Sequence, residues 1–386
     1  MKIYNIMKIK QVCDVIAGQS PQGKYYNRNG KGLPFYQGKK DFGEIFIKKP
    51  TVWTTEVTKE ALKDDILMSV RAPVGPINFA TTKICIGRGL AAIRTGKDVN
   101  KDYLFNFLLS IQSDISGREG AVFASINKSE IENIDIPLPP RPEQKRIVGI
   151  LDKVFADIAK AKENAEKNLQ NTRKIFSTYL QNTLKKVSSS CGVVNLGKAC
   201  EGVEYGTSSK SLKKGKVPVL RMGNIQNGRF DWSRLVYSSE ESEIKKYALK
   251  YNDVLFNRTN SLELVGKTAI YKGEMPAIFA GYLIRIKRKE DLLDADYLNY
   301  FLNSDMAREY GKTVVISSVN QANINGQKLK NYPIPLPPLS EQLNITTKLD
   351  SISVETRKLE SIYQKKLDDL EELKKSILQK AFNGEL

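Results

Sequence analysis

The sequence contains no histidine in 386 residues. That removes the commonest general base and the commonest metal ligand together. Any serine or cysteine nucleophile that works through a histidine is excluded with it, as is a histidine-based zinc site. Cysteine is scarce. Cys13, Cys85, Cys191 and Cys200 lack the paired spacing of zinc ligands and read as reduced thiols of a cytoplasmic protein. No apolar run approaches the roughly 20 residues that cross a bilayer. The first six residues also lack the apolar centre and small-residue cleavage site of a signal peptide. No phosphate-cradling G-x-x-x-x-G-K-[ST] loop occurs, and no strand-linked G-x-G-x-x-G. The Asn/Asp-Pro-Pro-aromatic tetrapeptide that surrounds a target amine in amino-methyltransferases is missing as well. With these motifs missing and no convincing carboxylate cluster, the chain is expected to be non-catalytic.

What is present begins with charge. Lys and Arg number 61 against 43 Asp and Glu, for a net +18 and a pI near 9.5. The excess divides as +6 over residues 1–140, +6 over 141–187, +7 over 188–338 and −1 over 339–386. A basic protein with its charge spread over large blocks expects a polyanionic partner, and nucleic acid fits best. Hydrophobic residues make up 41% and charged residues 27%, which is ordinary for a folded protein.

The strongest pattern is a repeated phrase. Ile136-Pro137-Leu138-Pro139-Pro140 is followed by Glu143-Gln144 and Leu151-Asp152. Ile334-Pro335-Leu336-Pro337-Pro338 is followed by Glu341-Gln342 and Leu349-Asp350. Every landmark is displaced by the same 198 positions, so the chain is expected to be one unit written twice. Four segments follow: a globular block at 1–140, a helix at 141–187, a second block at 188–338 and a second helix at 339–386.

Outside the phrase the copies diverge but still align. Cys13 matches Cys200. Asp65-Ile66-Leu67-Met68-Ser69-Val70-Arg71 is set against Asp253-Val254-Leu255-Phe256-Asn257-Arg258, leading to Gly75 and Gly266. Tyr103-Leu104 matches Tyr297-Leu298, and Ser125-Ile126-Asn127 is set against Ser318-Val319-Asn320. Short apolar runs bounded by Gly, Pro and Asn, such as Gly43–Ile47 and Ala277–Ala280, read as strands. Asp102–Ile111 has helical spacing. Each block is therefore mixed α and β.

In the segments after the prolines, apolar residues recur in steps of three and four. They fall at Ile147, Leu151, Val154, Ile158, Ala161 and Ala165, then after a one-residue slip at Leu169, Phe176 and Leu180. The second copy places them at Ile345, Leu349, Ile352, Leu359, Tyr363, Leu370 and Ile377. That is the heptad pattern of a coiled coil. Pro142 suits a first helical position, Ser340 an N-cap, and Glu143 and Glu341 the positive end of the helix dipole. A helix of about 45 residues, near 65 Å at 1.5 Å rise per residue, needs a partner for its apolar stripe. The basic helix pairing with the slightly acidic one is expected.

The chemistry left for the blocks is DNA reading. In the first block Gln19-Ser20, Tyr36-Gln37, Ser69, Arg71, Ser125 and Asn127 place amides, hydroxyls and a guanidinium in loop-like settings. In the second, Thr207-Ser208, Arg221, Asn224, Arg258-Thr259-Asn260, Ser318, Asn320 and Gln321 do so. Arg bridges two acceptors of guanine, and Asn or Gln pairs with adenine in the major groove. Lys39-Lys40 and Lys213-Lys214 suit phosphates.

In these features the chain resembles the specificity subunits (HsdS) of type I restriction–modification systems. The resemblance is carried by the two I-P-L-P-P…E-Q…L-D phrases, the helix after each, and the closing Lys380-Ala381-Phe382-Asn383-Gly384-Glu385-Leu386. It implies an α+β fold: two target recognition domains in tandem, each followed by a long helix, the helices forming an antiparallel coiled coil with pseudo-twofold symmetry. It also implies double-stranded DNA as partner, with two modification subunits (HsdM) docked on the coil and two restriction subunits (HsdR) joining. S-adenosylmethionine, ATP and Mg would lie on those partners, with no cofactor or metal on this chain. The alternatives are a nuclease or methyltransferase acting alone, and an architectural DNA-binding protein that dimerises through its coils.

Overall fold

The computed structural model describes residues 4–116, 125–318 and 321–386. Two compact units emerge: residues 1–166 with 365–386, and residues 167–364. Each unit holds one globular block together with stretches of both long helices, so the boundaries cut across the helices rather than falling at their ends.

In the first unit, strand β1 (Ile6–Lys8) leads to β2 (Cys13–Ala17), β3 (Ile66–Ser69), β4 (Ile77–Phe79) and β5 (Leu90–Thr95). Helix α1 (Lys101–Ser110), strand β6 (Asp135–Pro137) and the start of the long helix α2 (Arg141–Cys191) follow, the rest of α2 lying in the second unit. The central antiparallel sheet runs β2-β5-β3-β4. A second sheet pairs Leu33–Tyr36 in parallel with Ile84–Ile86.

The second unit repeats the plan. It comprises β7 (Val193–Asn195), β8 (Cys200–Tyr205), β9 (Val254–Asn257), β10 (Thr268–Ile270), β11 (Leu283–Arg288), helix α3 (Ala295–Leu302), β12 (Pro333–Pro335) and the start of the long helix α4 (Leu339–Phe382), whose last part lies in the first unit. Its sheet runs β8-β11-β9-β10, with Val217–Leu220 parallel to Ile278–Phe279.

The isoleucine, the prolines and the glutamine of the repeated phrase each have a physical role. Ile136 and Ile334 are fully buried in two-stranded pairings, β1 with β6 and β7 with β12. Pro140 and Pro338 accept the first helical hydrogen bonds, from Glu143 and Gln144 and from Glu341 and Gln342. Being the last residue before each helix, each proline loses nothing by lacking an N–H. Gln144 is fully buried. Its amide donates to Pro139 O at 2.8 Å and Asp98 O at 2.9 Å, and its Oε1 accepts from Asn100 N at 2.7 Å. Gln342 does the same with Pro337 O at 2.8 Å, Leu292 O at 2.8 Å and Asp294 N at 2.9 Å. Asn100 and Asp294 are the N-caps of α1 and α3. One glutamine per copy therefore ties the start of a long helix to the start of a short one.

Both long helices pack twice. Ile147 and Leu151 join the core of the first unit with Leu378, Ala381 and Phe382, whose ring meets Tyr103 and Phe107 edge-on. In the second unit Leu180, Leu184 and Val187 join Ile345 and Leu349 in the core. Within each unit, taken by itself, the stretches of α2 and α4 run in opposite directions and meet through an ion pair. Lys162 pairs with Glu371 at 2.6 Å in the first unit, and Arg173 with Glu360 at 3.7 Å in the second.

Several expectations need correction. Ser340 lies inside α4 and Pro142 is the second residue of α2, because Pro140 and Pro338 occupy the capping positions. Helix α2 continues to Cys191, past the expected 187. Leu359 is exposed at 37%; the buried seam passes instead through Thr356, which hides its hydroxyl on Ile352 O. Gly43–Ile47 is no strand but a bend held by single bridges, Phe42 to Ile47 and Phe46 to Phe79. The reading of the cysteines needs no correction: all four are free, and Cys13 and Cys200 are buried, which pushes each thiol up to about 11.

Candidate nucleic-acid interface

The sheet register fixes which residues of the two blocks correspond, and it shifts two of the sequence matches. Leu90 faces Ser69 across the central sheet, and Leu283 faces Asn257. Val70 N–H donates to Gly89 O, and Arg258 N–H donates to Tyr282 O. Arg258 therefore stands where the first block has Val70, and Thr259 where it has Arg71. Successive residues of a strand face opposite sides, so a one-residue error reverses the side chain. Ile126 N–H meets Val70 O, and Ile324 N–H meets Arg258 O. Ser125-Ile126-Asn127 thus corresponds to Asn323-Ile324-Asn325, not to Ser318-Val319-Asn320. Asn127 and Asn325 confirm this register, each capping the short helix that follows. Ser318 pairs instead with Gln321 across a hairpin of the second block. Asn320 lies outside the described residues.

In the first block the sequence candidates separate into two groups. Tyr36 is buried in the core and donates to Lys48 O at 2.7 Å; burial pushes its hydroxyl up to about 12. Ser69 is buried and donates to Arg71 O at 3.2 Å. Asn127 spends its side-chain oxygen on Glu130 N. These three hold the scaffold. Gln19, Gln37, Lys39, Lys40, Arg71 and Ser125 are exposed. A cleft of about 200 Å³ gathers Gln37, Lys39, Ser69 and Arg71 with Arg88, and an adjoining one gathers Arg71 and Arg88 with Ser125, Asn127 and Lys128. Ser20 lies behind, its Oγ accepting from Arg88 N at 3.2 Å. Arg88 escaped the sequence reading, although its place between two glycines, Gly87 and Gly89, marks a tight turn. A Cβ on Gly89 would meet Gln37 O at 2.2 Å.

In the second block Asn224 is buried and satisfied by Arg221 N, Asp231 O and Arg234 O, so it holds a turn. Thr207 is buried and accepts from Ser209 N. Arg258 lies over the Tyr205 ring at 4.9 Å and donates to Gly281 O at 3.5 Å, while its buried Nε has no partner among the described residues. Thr259 Oγ1 accepts from Asn323 Nδ2 at 2.8 Å, and Asn260 Oδ1 from Ser261 N. Ser208, Lys213, Lys214, Arg221 and Gln321 are exposed. Tyr205 and Asn323 are additions; only the fold brings them beside Arg258 and Thr259.

Among the described residues no three His, Cys, Asp or Glu side chains gather as metal ligands, and no helix is long and apolar enough to cross a membrane. Two blocks of the same sheet order, each with a polar loop-bearing sheet edge and each followed by a long helix, define a class of duplicated α+β protein. The family model for the type I restriction modification DNA specificity domain matches residues 1–171 and again 192–368, and the chain belongs to that family.

A putative type I restriction enzyme MjaX specificity subunit from Methanocaldococcus jannaschii is 43% identical over 162 residues, 42% of this chain and 38% of that protein. The type I restriction enzyme EcoKI specificity subunit from Escherichia coli K12 is 28% identical over 283 residues, 69% of this chain and 61% of the relative. The matches thus span less than two thirds of these relatives' own lengths. The crystal structure of the HsdS subunit from Thermoanaerobacter tengcongensis has a TM-score of 0.62 at 18% identity, covering 100% of this chain and 97% of that one. A chain from a structure described as the basis of complex assembly and conformational transition of the type I R-M system reaches 0.78 at 19% identity, covering 99% and 98%. At these identities the likeness is one of fold.

Proposed function

We propose that this chain is the DNA-specificity subunit of a type I restriction–modification complex, each globular block reading one half of a bipartite double-stranded site. The observation that carries the reading is the duplication with divergence. The sheet order, the glutamine ties, Tyr103 and Tyr297, and the proline caps repeat between blocks, whereas the residues at the loop-bearing sheet edge do not. Framework is kept and readers differ, as two unlike half-sites require. The paired helices set the spacer between half-sites and dock two modification (methyltransferase) subunits, and two restriction subunits complete the assembly. S-adenosylmethionine, ATP and Mg belong to those partners, in keeping with a sequence that has no histidine and no phosphate loop.

The exposed lysines suit phosphate contacts and a salt-dependent affinity. Arg221, Ser208, Asn260 and Gln321 are the candidate base contacts of the second block. Mapping methylated bases in DNA exposed to the reconstituted complex tests the proposal. A two-part asymmetric motif with a fixed spacer is expected; a palindrome or an absence of sequence preference would overturn it.

A further inference from the structure

The cleft of the first block presents two guanidinium groups whose backbones are fixed and whose heads are not. Arg71 is held by its antiparallel bridge to Ser125 and by the hydroxyl of buried Ser69 on its carbonyl. Arg88 sits at the tip of a turn closed by Leu90 N–H on Gly87 O at 3.0 Å, with its own N–H on Ser20. Both side chains are exposed, and neither has an acidic or hydrogen-bonding partner among the described residues. Most arginines placed for structure are engaged: Arg94 grips Asp65, and Arg285 grips Glu204 and Asp253.

The second block lacks both forks at the corresponding backbone positions. Arg71 is matched by Thr259. Arg88 is matched by Gly281, because Gly87 N–H to Tyr36 O and Ala280 N–H to Leu220 O are the same bond in the two blocks. The nearby Arg258, one residue earlier on its strand, is stacked on Tyr205 instead. Two free forks therefore belong to one reader alone, on rigid turns beside the phosphate-binding type of side chain, Lys39 and Lys128. A planar fork with two parallel N–H donors matches O6 and N7 of guanine, and neither edge of the other bases offers two acceptors in that place.

We propose that the first block reads two guanines of its half-site, one through Arg71 and one through Arg88. The inference rests on the DNA-specificity reading above, and its tests fail separately from that reading. The full chain with its methyltransferase subunits is assayed by methylation mapping and by binding to duplexes carrying 7-deazaguanine, which lacks the N7 acceptor. The wild type is expected to require at least two guanines in one half-site and to lose about tenfold or more in binding for each 7-deaza substitution there. Arg88→Ala and Arg71→Ala should each relax one of those positions, leave the other half-site and the spacer intact, and abolish the corresponding 7-deaza effect. Arg88→Lys, which keeps the charge without the fork, should lose the same discrimination.

A half-site with fewer than two required guanines, equal 7-deaza losses in wild type and variants, or full discrimination by the lysine variant would overturn the inference. Loss of all sequence preference in the wild type would instead sink the proposed function.

Discussion

At the scale of single residues, buried polar side chains carry more of the architecture than their number implies. Gln144 and Gln342 each satisfy three backbone groups that have no other hydrogen-bond partner among the described residues. Removing either amide strands those groups in the interior, at a cost of about 2–4 kcal/mol. Gln144→Ala and Gln342→Ala are expected to lower stability in urea titrations by that amount. A loss below about 0.5 kcal/mol would show that the ties are redundant.

Arg285 supplies a pH-dependent example. Burial pushes the Glu204 carboxyl up, but the hydrogen bonds and charge of Arg285, with Lys287 beside it, outweigh burial and hold it below the usual glutamate range. A depressed carboxylate stabilises the fold fully above its unfolded value, near 4.3 for glutamate. That contribution disappears as pH falls through the lower folded value. The stability advantage of wild type over Glu204→Gln should therefore hold from pH 7 to about 5 and shrink below about 4. A difference that stays constant down to pH 3 would assign the loss to packing.

At the scale of elements, the phrase and the helices were legible in the sequence because their signals are local. Proline spacing, heptad steps and the Tyr103 and Tyr297 helices each depend on residues a few positions apart. Strand register was not legible. Arg71 and Arg258 match in sequence pattern, yet hydrogen bonds between strands far apart in sequence set them one step out of phase. Ser318-Val319-Asn320 misled for a related reason, since the second block carries a hairpin there and Asn323-Ile324-Asn325 is the true counterpart. Arg88 was missed because a basic residue between two glycines looks like any turn until Gln37, Ser20 and Arg71 are folded around it. Tyr36, Ser69 and Asn224 erred in the other direction: residue types suited to contact DNA were spent on the interior.

The helices admit a direct test of packing. Leu151 and Leu349 occupy equivalent positions and are both fully buried. Leu151→Ala and Leu349→Ala should each cost about 2–5 kcal/mol. If either falls under about 1 kcal/mol in chemical denaturation, that helix end is not seated in its block's core.

At the scale of the whole molecule, the proposed function makes the helices a ruler. Deleting one heptad from each removes about 10 Å of helix, about three base pairs at 3.4 Å each. Methylation mapping of that variant should return the same two half-sites with a spacer about three base pairs shorter, and an unchanged spacer would refute the ruler.

The pairing of β1 with β6, and of β7 with β12, has one more consequence. Each block begins and ends on two hydrogen-bonded neighbouring strands, so its two chain ends emerge side by side. The stretch between Lys8 and Asp135, or between Asn195 and Pro333, is thus a cassette with a single doorway. Recombination that swaps one cassette for another of this topology keeps the doorway, the glutamine tie and the helix behind it. If the blocks read DNA as proposed, a lineage would acquire a new target in one genetic event and keep the frame behind the doorway unchanged.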